Sequence, residues 1–266
     1  MVLTKGELVH MSLLSLGLLF LAAIVGGTLN AVAGGGSFIT FPSLIFSGVG
    51  AINANATSTT ALWPGSLASL WAYRKELATQ QRGFLVVLGV TSLIGGMLGA
   101  LLLLNTPAST FVHLIPYLLL LATLLFAFSG QITKLLRRRN VEKTRISRRG
   151  LAGISFLQLI IAIYGGYFGA GIGILMLATL ALMGMENIHE MNAVKTMLTL
   201  LINGVAVIAF IIADIIAWTP AIVMLAGAII GGYGAAYFAR KIDQKYVRGF
   251  VIVVGLTLTI YFFLYP

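Results

Sequence analysis

The run Asn192-Ala193-Val194-Lys195-Thr196 leads into a stretch, Met197 to Ile212, whose only polar side chains are Thr199 and Asn203. A lysine set in such a segment costs at least about 2.5–3.5 kcal/mol to insert into a bilayer, so it must face a partner or a cavity. Two chemistries are open. Lys195 can snorkel to an interface a few residues away, with Glu186 or Glu190 as its counter-charge. Alternatively, it is a cation placed to attract an anionic ligand. Asn53-Ala54-Asn55-Ala56-Thr57-Ser58-Thr59-Thr60 gathers amides and hydroxyls at the head of another apolar segment. There Asn53 or Asn55 can cap a helix whose first N–H groups and dipole favour a negative group. Singly, each hydroxyl can equally bond the preceding turn or hold a neighbouring helix. As a cluster opposite Lys195, binding is the stronger reading.

Two glycine groups complete the candidate site: Gly34-Gly35-Gly36, and Gly169-Ala170-Gly171-Ile172-Gly173. Successive N–H groups freed by a helix break can form an anion-binding nest, and glycine also permits close helix packing. For Gly95/Gly99 and Gly227/Gly231, spaced as GxxxG, packing is the reading. The substrate-binding set expected from residue types is therefore Gly34, Gly35, Gly36, Asn55, Thr57, Ser58, Gly171, Gly173, Asn192, Lys195 and Thr196. Asn30 and Asn203 are lone amides in apolar spans that either bond a neighbouring helix or line the path. Asp214 sits at an outer turn and is read as solvated.

No catalytic or metal site is expected. His10, His113 and His189 are scattered without metal-ligand spacing, and HExxH, Walker and GxSxG patterns are absent. Zero cysteine excludes disulfides, thiolate metal sites and cysteine nucleophiles. No cofactor is called for.

The elements that position these residues are membrane helices. Apolar residues make up 59% of the chain and charged ones 9%, against about 25% charged in soluble domains. Leu13 to Ala33, Phe84 to Leu104 and Val251 to Leu264 carry no charge. The first two have the roughly 20 residues a bilayer requires, and none of the three shows the alternation of barrel strands. Residues 12–33 read as a retained helix rather than a cleaved signal, because many later segments are equally apolar. The net charge of +10 does not mark nucleic-acid binding, since eight of the 17 basic residues lie between Lys134 and Arg149. Such a run beside spans is a cytoplasmic loop facing anionic headgroups. Trp71, Tyr73, Trp218 and Tyr246 read as interfacial anchors.

Expected segments are 10–33, 36–48, 53–73, 84–104, 111–130, 151–169, 172–184, 193–213, 220–239 and 249–265. Two, 36–48 and 172–184, are too short to cross about 30 Å as straight helices, and both follow a glycine group. A shift of 137 residues brings Gly34 onto Gly171, Gly36 onto Gly173, Asn55 onto Asn192 and Ala56 onto Ala193. The chain then divides into a first repeat (1–130), a basic cytoplasmic loop (131–150) and a second repeat (151–266). With 131–150 inside, Arg74, Lys75, Arg82 and the 240–248 cluster also fall inside if every segment crosses. Five segments per half then make the repeats inverted. If the short segments re-enter instead, each half has four spans, the repeats are parallel and the 240–248 cluster lies outside. The expected fold is an all-α polytopic membrane bundle of two inverted repeats with interrupted short helices, a pattern of secondary transporters that bind substrate near the midplane.

Gly34-Gly35-Gly36 with Pro42, Gly48, Asn55-Ala56-Thr57-Ser58 and Asn192-Ala193-Val194-Lys195 together resemble the sulfite exporter TauE/SafE family over nearly the whole chain. Two departures stand out: Ala170 and Ile172 dilute the second glycine group, and Lys195-Thr196 replaces a Thr-Ser pair. The resemblance implies transport of a small sulfur-containing anion, sulfite or an organosulfonate, in a bacterial inner membrane, often as export. An oxyanion with several acceptor oxygens suits hydroxyls, amides, helix N-termini and one lysine. Electrogenic exit would gain about 2.3 kcal/mol per charge per 100 mV. A passive anion channel, or a permease importing another small anion, is the alternative. The partners expected are the anion and the lipid bilayer, with no nucleic acid.

Overall fold

The computed structural model describes residues 12–138, 148–183, 185, 187–238 and 244–264. Eleven helices and no strand appear among them. In chain order they are α1 (Leu13–Ala33), α2 (Ser37–Phe46), α3 (Ala51–Ala72), α4 (Arg74–Ala78), α5 (Arg82–Leu104), α6 (Ala108–Arg138), α7 (Arg148–Tyr167), α8 (Ile172–Leu182), α9 (Ile188–Ile212), α10 (Trp218–Phe238) and α11 (Gln244–Leu264). Every expected segment is a helix, and only the short α4 lies outside the expected set. The stretch 131–150 is not all loop, because α6 runs on to Arg138 and α7 begins at Arg148.

The arrangement suits lipid rather than water. Leu13, Ile212 and Tyr233 are at least three-quarters exposed, whereas Asn55, Thr57, Ser58 and Lys195 are buried. Leu13–Ala31, Arg82–Leu104 and Ile188–Ile212 are each long and apolar enough to cross a membrane alone. Trp71 and Trp218 are among the exposed large side chains, and the Arg74 guanidinium lies 4.8 Å over the Trp71 ring. The Tyr246 side chain falls outside the described residues.

Both expected breaks occur. Gly34 takes a left-handed conformation (φ 75°) and ends α1, its N–H donating to Leu29 O and Asn30 O. Two left-handed glycines, Gly169 and Gly171, separate α7 from α8, and Tyr164 Oη donates to Ala170 O at 2.8 Å across that turn. Residues with a Cβ rarely adopt this backbone. The helices that follow have 10 and 11 residues, about 15–17 Å at 1.5 Å per residue.

The longest helix seams join one half to the other. α1 lies along α10 in the same direction, Gly227 against Phe20 O and Gly231 against Ile24 O, with Thr28 Oγ1 donating to Gly231 O at 3.1 Å. α5 lies along α7 likewise, Gly95 against Leu159 O and Ala162, and Gly99 against Ile163 O. Both GxxxG pairs are thus packing seams, as their spacing predicts. At the centre α3 and α9 cross antiparallel. Asn53 near the start of α3 donates to Ile215 O beyond the end of α9 (2.8 Å), Trp63 Nε1 donates to Leu200 O (3.1 Å), and Gln80 beyond α3 donates to Glu190 at the start of α9 (3.0 Å).

Substitution tests these seams. Alanine is about 1 kcal/mol better than glycine in a helix interior, and Gly17 has open space around it. Gly17→Ala should hold or raise the melting temperature in detergent. Gly99→Ala and Gly231→Ala should lower it by the equivalent of about 1–3 kcal/mol, because backbone carbonyls occupy the place of the methyl.

Candidate functional site

α9 begins at Ile188, capped by the Asn187 side chain, which accepts from His189 N at 3.0 Å. Lys195 therefore stands two turns inside the helix rather than at its head, and it is only 3% exposed. The snorkelling geometry is not adopted. Nor does Glu190 neutralise it: that carboxylate accepts from Gln80 and, at 3.3 Å, from Asn187. Glu186 lies outside the described residues. Lys195 Nζ is buried with no hydrogen-bond partner. An unpaired charge in that setting is costly.

What Lys195 faces is a narrow pocket lined by Asn30, Gly34, Ser66, Ser69, Gly173, Lys195, Thr196 and Thr199. α1, α3, α8 and α9 each contribute. The two breaks meet there: a Cβ on Gly34 would stand 2.9 Å from Gly173 Cα. Ser66 and Ser69 are one turn apart near the end of α3, and Lys195 and Thr199 are one turn apart on α9. The hydroxyls are held loosely. Ser66 Oγ reaches Leu62 O at 3.5 Å and accepts from Asn30 Nδ2 at 3.3 Å, and Thr199 Oγ1 rests on Met176 Sδ at 3.5 Å. Ser69 Oγ is better bonded, to Gly65 O at 3.0 Å. Long bonds to neutral acceptors exchange at small cost for shorter ones to an anion. No acidic side chain lines the pocket, so one ammonium and several hydroxyl donors suit a small negative ligand.

The sequence-derived set divides. Gly34, Gly173, Lys195 and Thr196 line the pocket. Asn55, Thr57 and Ser58 do not, because α3 starts at Ala51 with Gly50 as its uncapped N-terminal neighbour. Neither Asn53 nor Asn55 is a cap, and the N–H groups near 55–58 are spent within the helix. Asn55 Nδ2 instead donates to Tyr167 O (3.0 Å), Thr57 Oγ1 accepts from Ala217 N (3.0 Å), and Ser58 Oγ shares a hydrogen bond with Thr40 Oγ1 (2.6 Å). The Gly34 N–H is used in capping α1 and is not free for a nest. Gly35 and Gly36 lead into α2, and Gly171 packs on Ala122 of α6. Asn192 is buried on α9, its Oδ1 without a partner, as is Oδ1 of Asn203. Asn30, Ser66, Ser69 and Thr199 were missing from the expected set. The i, i+3 and i, i+4 spacing of the last three on helices already singled out was the available signal. Among the described residues, no group of three metal-ligating side chains occurs.

Interlocked apolar helices around a buried cationic pocket define a multi-pass membrane transporter. The chain belongs to the sulfite exporter TauE/SafE family, whose model matches residues 19–262. It is 28% identical over 246 residues to a "Probable membrane transporter protein" of Haemophilus influenzae, covering 92% of each chain. It is 27% identical over 261 residues to the "Probable membrane transporter protein YfcA" of Escherichia coli K12, covering 96% of this chain and 92% of that one. The "Probable membrane transporter protein ORF9" of a Sinorhizobium species is 24% identical over 250 residues, with 92% and 91% covered. No solved structure matches.

An unpaired buried ammonium has a thermodynamic signature. Lys195→Met, similar in length and uncharged, should raise the melting temperature of the protein, by about 2–4 °C for each kcal/mol gained.

Proposed function

We propose that the protein exports a small sulfur-containing oxyanion, sulfite or an organosulfonate, by alternating access, binding it at the pocket around Lys195. The carrying observation is the Lys195 ammonium, buried and unpartnered, among hydroxyls on two broken-helix repeats. Inversion of the halves is part of this reading, and two features support it. Helices α3 and α9 occupy equivalent places under the 137-residue shift yet run antiparallel, and Trp63 touches Leu200, its own equivalent. Contact between equivalent positions is what a two-fold axis produces.

The same geometry supports a sidedness. α10 begins beside the start of α3, through Thr57 and Ala217, so both run towards the α4 end of the bundle. The starts of α5 and α9 and the end of α10 gather there. Arg74, Lys75 and Arg82 lie at that end, which supports reading it as cytoplasmic under the positive-inside rule. The pocket lies towards that end: Ser69 is about 5 Å along the axis from the last residue of α3, and Lys195 about 10 Å from the first residue of α9. On the opposite side Phe41, Phe111, Phe168 and Phe210 are fully buried. Phe168 stands edge-on to Phe41 and Phe111, at centroid distances of 5.5 and 6.3 Å. A site nearer the cytoplasmic end, with the aromatic cluster beyond it, supports loading from the cytoplasm. An inside-negative potential then drives exit without a coupling ion.

Sulfite efflux from proteoliposomes tests this. Wild-type flux should saturate with substrate, as a carrier's does and a passive pore's does not at low concentration. Lys195→Ala should lower flux at least about tenfold through loss of the ion pair, and Ser69→Ala several-fold through loss of one hydroxyl–anion hydrogen bond. Unchanged flux in both variants would discard the pocket as the binding site.

A further inference from the structure

The repeats are equivalent in sequence position but not in their polar contacts. On the side away from the pocket, Asn53, Asn55 and Thr57 tie the first turns of α3 to Ile215 O, Tyr167 O and Ala217 N of the other half. The middle bond fills a specific need. Tyr167 is the last residue of α7, so its carbonyl loses its helical partner at the break, and the Asn55 amide supplies one from 112 residues away. The aromatic seal of Phe41, Phe111 and Phe168 packs beside it, and Phe111 also meets Tyr167 edge-on at 5.7 Å.

On the pocket side the equivalents of Asn53, Asn55 and Thr57 are Glu190, Asn192 and Val194. Glu190 holds Gln80, and Val194 has no polar side chain. Asn192, the equivalent of Asn55, is buried with its Oδ1 unpartnered. The equivalent of Tyr167 is Asn30, whose carbonyl takes the Gly34 N–H and which itself lines the pocket. One asparagine is engaged beside the aromatic cluster, and its twin on the pocket side has an unpartnered Oδ1.

We propose that Asn55 and Asn192 are alternating latches: Asn55 on Tyr167 holds the far gate shut in this state, and Asn192 engages the end of α1 when the cytoplasmic gate shuts instead. This rests on the inverted-repeat reading above, because only in inverted halves does exchanging the two local conformations move the opening to the other face. Neither asparagine is then a substrate ligand.

The cysteine-free chain allows a direct test in oriented membrane vesicles. Ser69→Cys reports the cytoplasmic pocket, and Ala206→Cys, its equivalent 137 residues on and fully buried, reports the far side. Labelling rates with a membrane-impermeant maleimide are measured from each face. Asn55→Ala should speed labelling at position 206 from the far face at least tenfold and slow it at position 69. Asn55→Asp, which keeps the volume but cannot donate when ionised, should do the same and serves if the alanine variant folds poorly. Asn192→Ala should slow labelling at 206 below the background level. Labelling within twofold of background for both Asn55 variants overturns the latch. So does loss of sulfite-induced thermal stabilisation with labelling unchanged, which would make Asn55 a ligand. Retained flux in Lys195→Ala would refute the binding site alone, because the labelling experiment contains no substrate.

Discussion

An ammonium group inside an apolar bundle must be answered by something, and the arrangement around Lys195 follows from that requirement. The near carboxylate is occupied: Glu190 is held by Gln80 and Asn187. The surrounding side chains offer donors, which cannot neutralise a cation. What remains is a positive site of low dielectric constant lined by Ser66, Ser69, Thr196 and Thr199, a setting that suits a negative group. Such a position costs stability, which is the usual relation between a functional site and its fold.

Glycine makes the position possible. Left-handed residues at 34, 169 and 171 end two helices inside the protein, and their stubs approach until Gly34 and Gly173 touch. Side chains from α3 and α9 can then converge on a volume that continuous helices would fill. The same residue type does different work in α5 and α10, where Gly95, Gly99, Gly227 and Gly231 let backbones slide against one another. Conformational freedom matters in the first case and lack of bulk in the second.

Helices and their order were legible from hydropathy, and the two breaks were legible from glycine groups that precede segments too short to cross. The buried cation was legible as well, since a lysine ahead of sixteen nearly apolar residues (197–212) has few places to go. The stretch 53–60 lies away from the pocket for a physical reason. A cluster of amides and hydroxyls signals an N-cap only if the helix starts there, and α3 starts earlier, at Ala51, behind a glycine that gives no local signal. Asn55, Thr57 and Ser58 consequently turn their hydrogen bonds to neighbouring segments. Ser66 and Ser69 were overlooked because a serine in a helix normally bonds the preceding turn, as both do. Only the antiparallel crossing of α3 and α9 brings them opposite Lys195.

The exchange of partners between halves has a consequence for how the protein is made. α1 is seated against α10, and Thr28 meets Gly231 across 203 residues of chain. A ribosome delivering about 5–20 residues per second needs some ten seconds or more to supply that partner. Throughout this interval the small-residue face of α1 has only lipid or another protein to rest against. The α5–α7 seam is complete well before α1 meets α10.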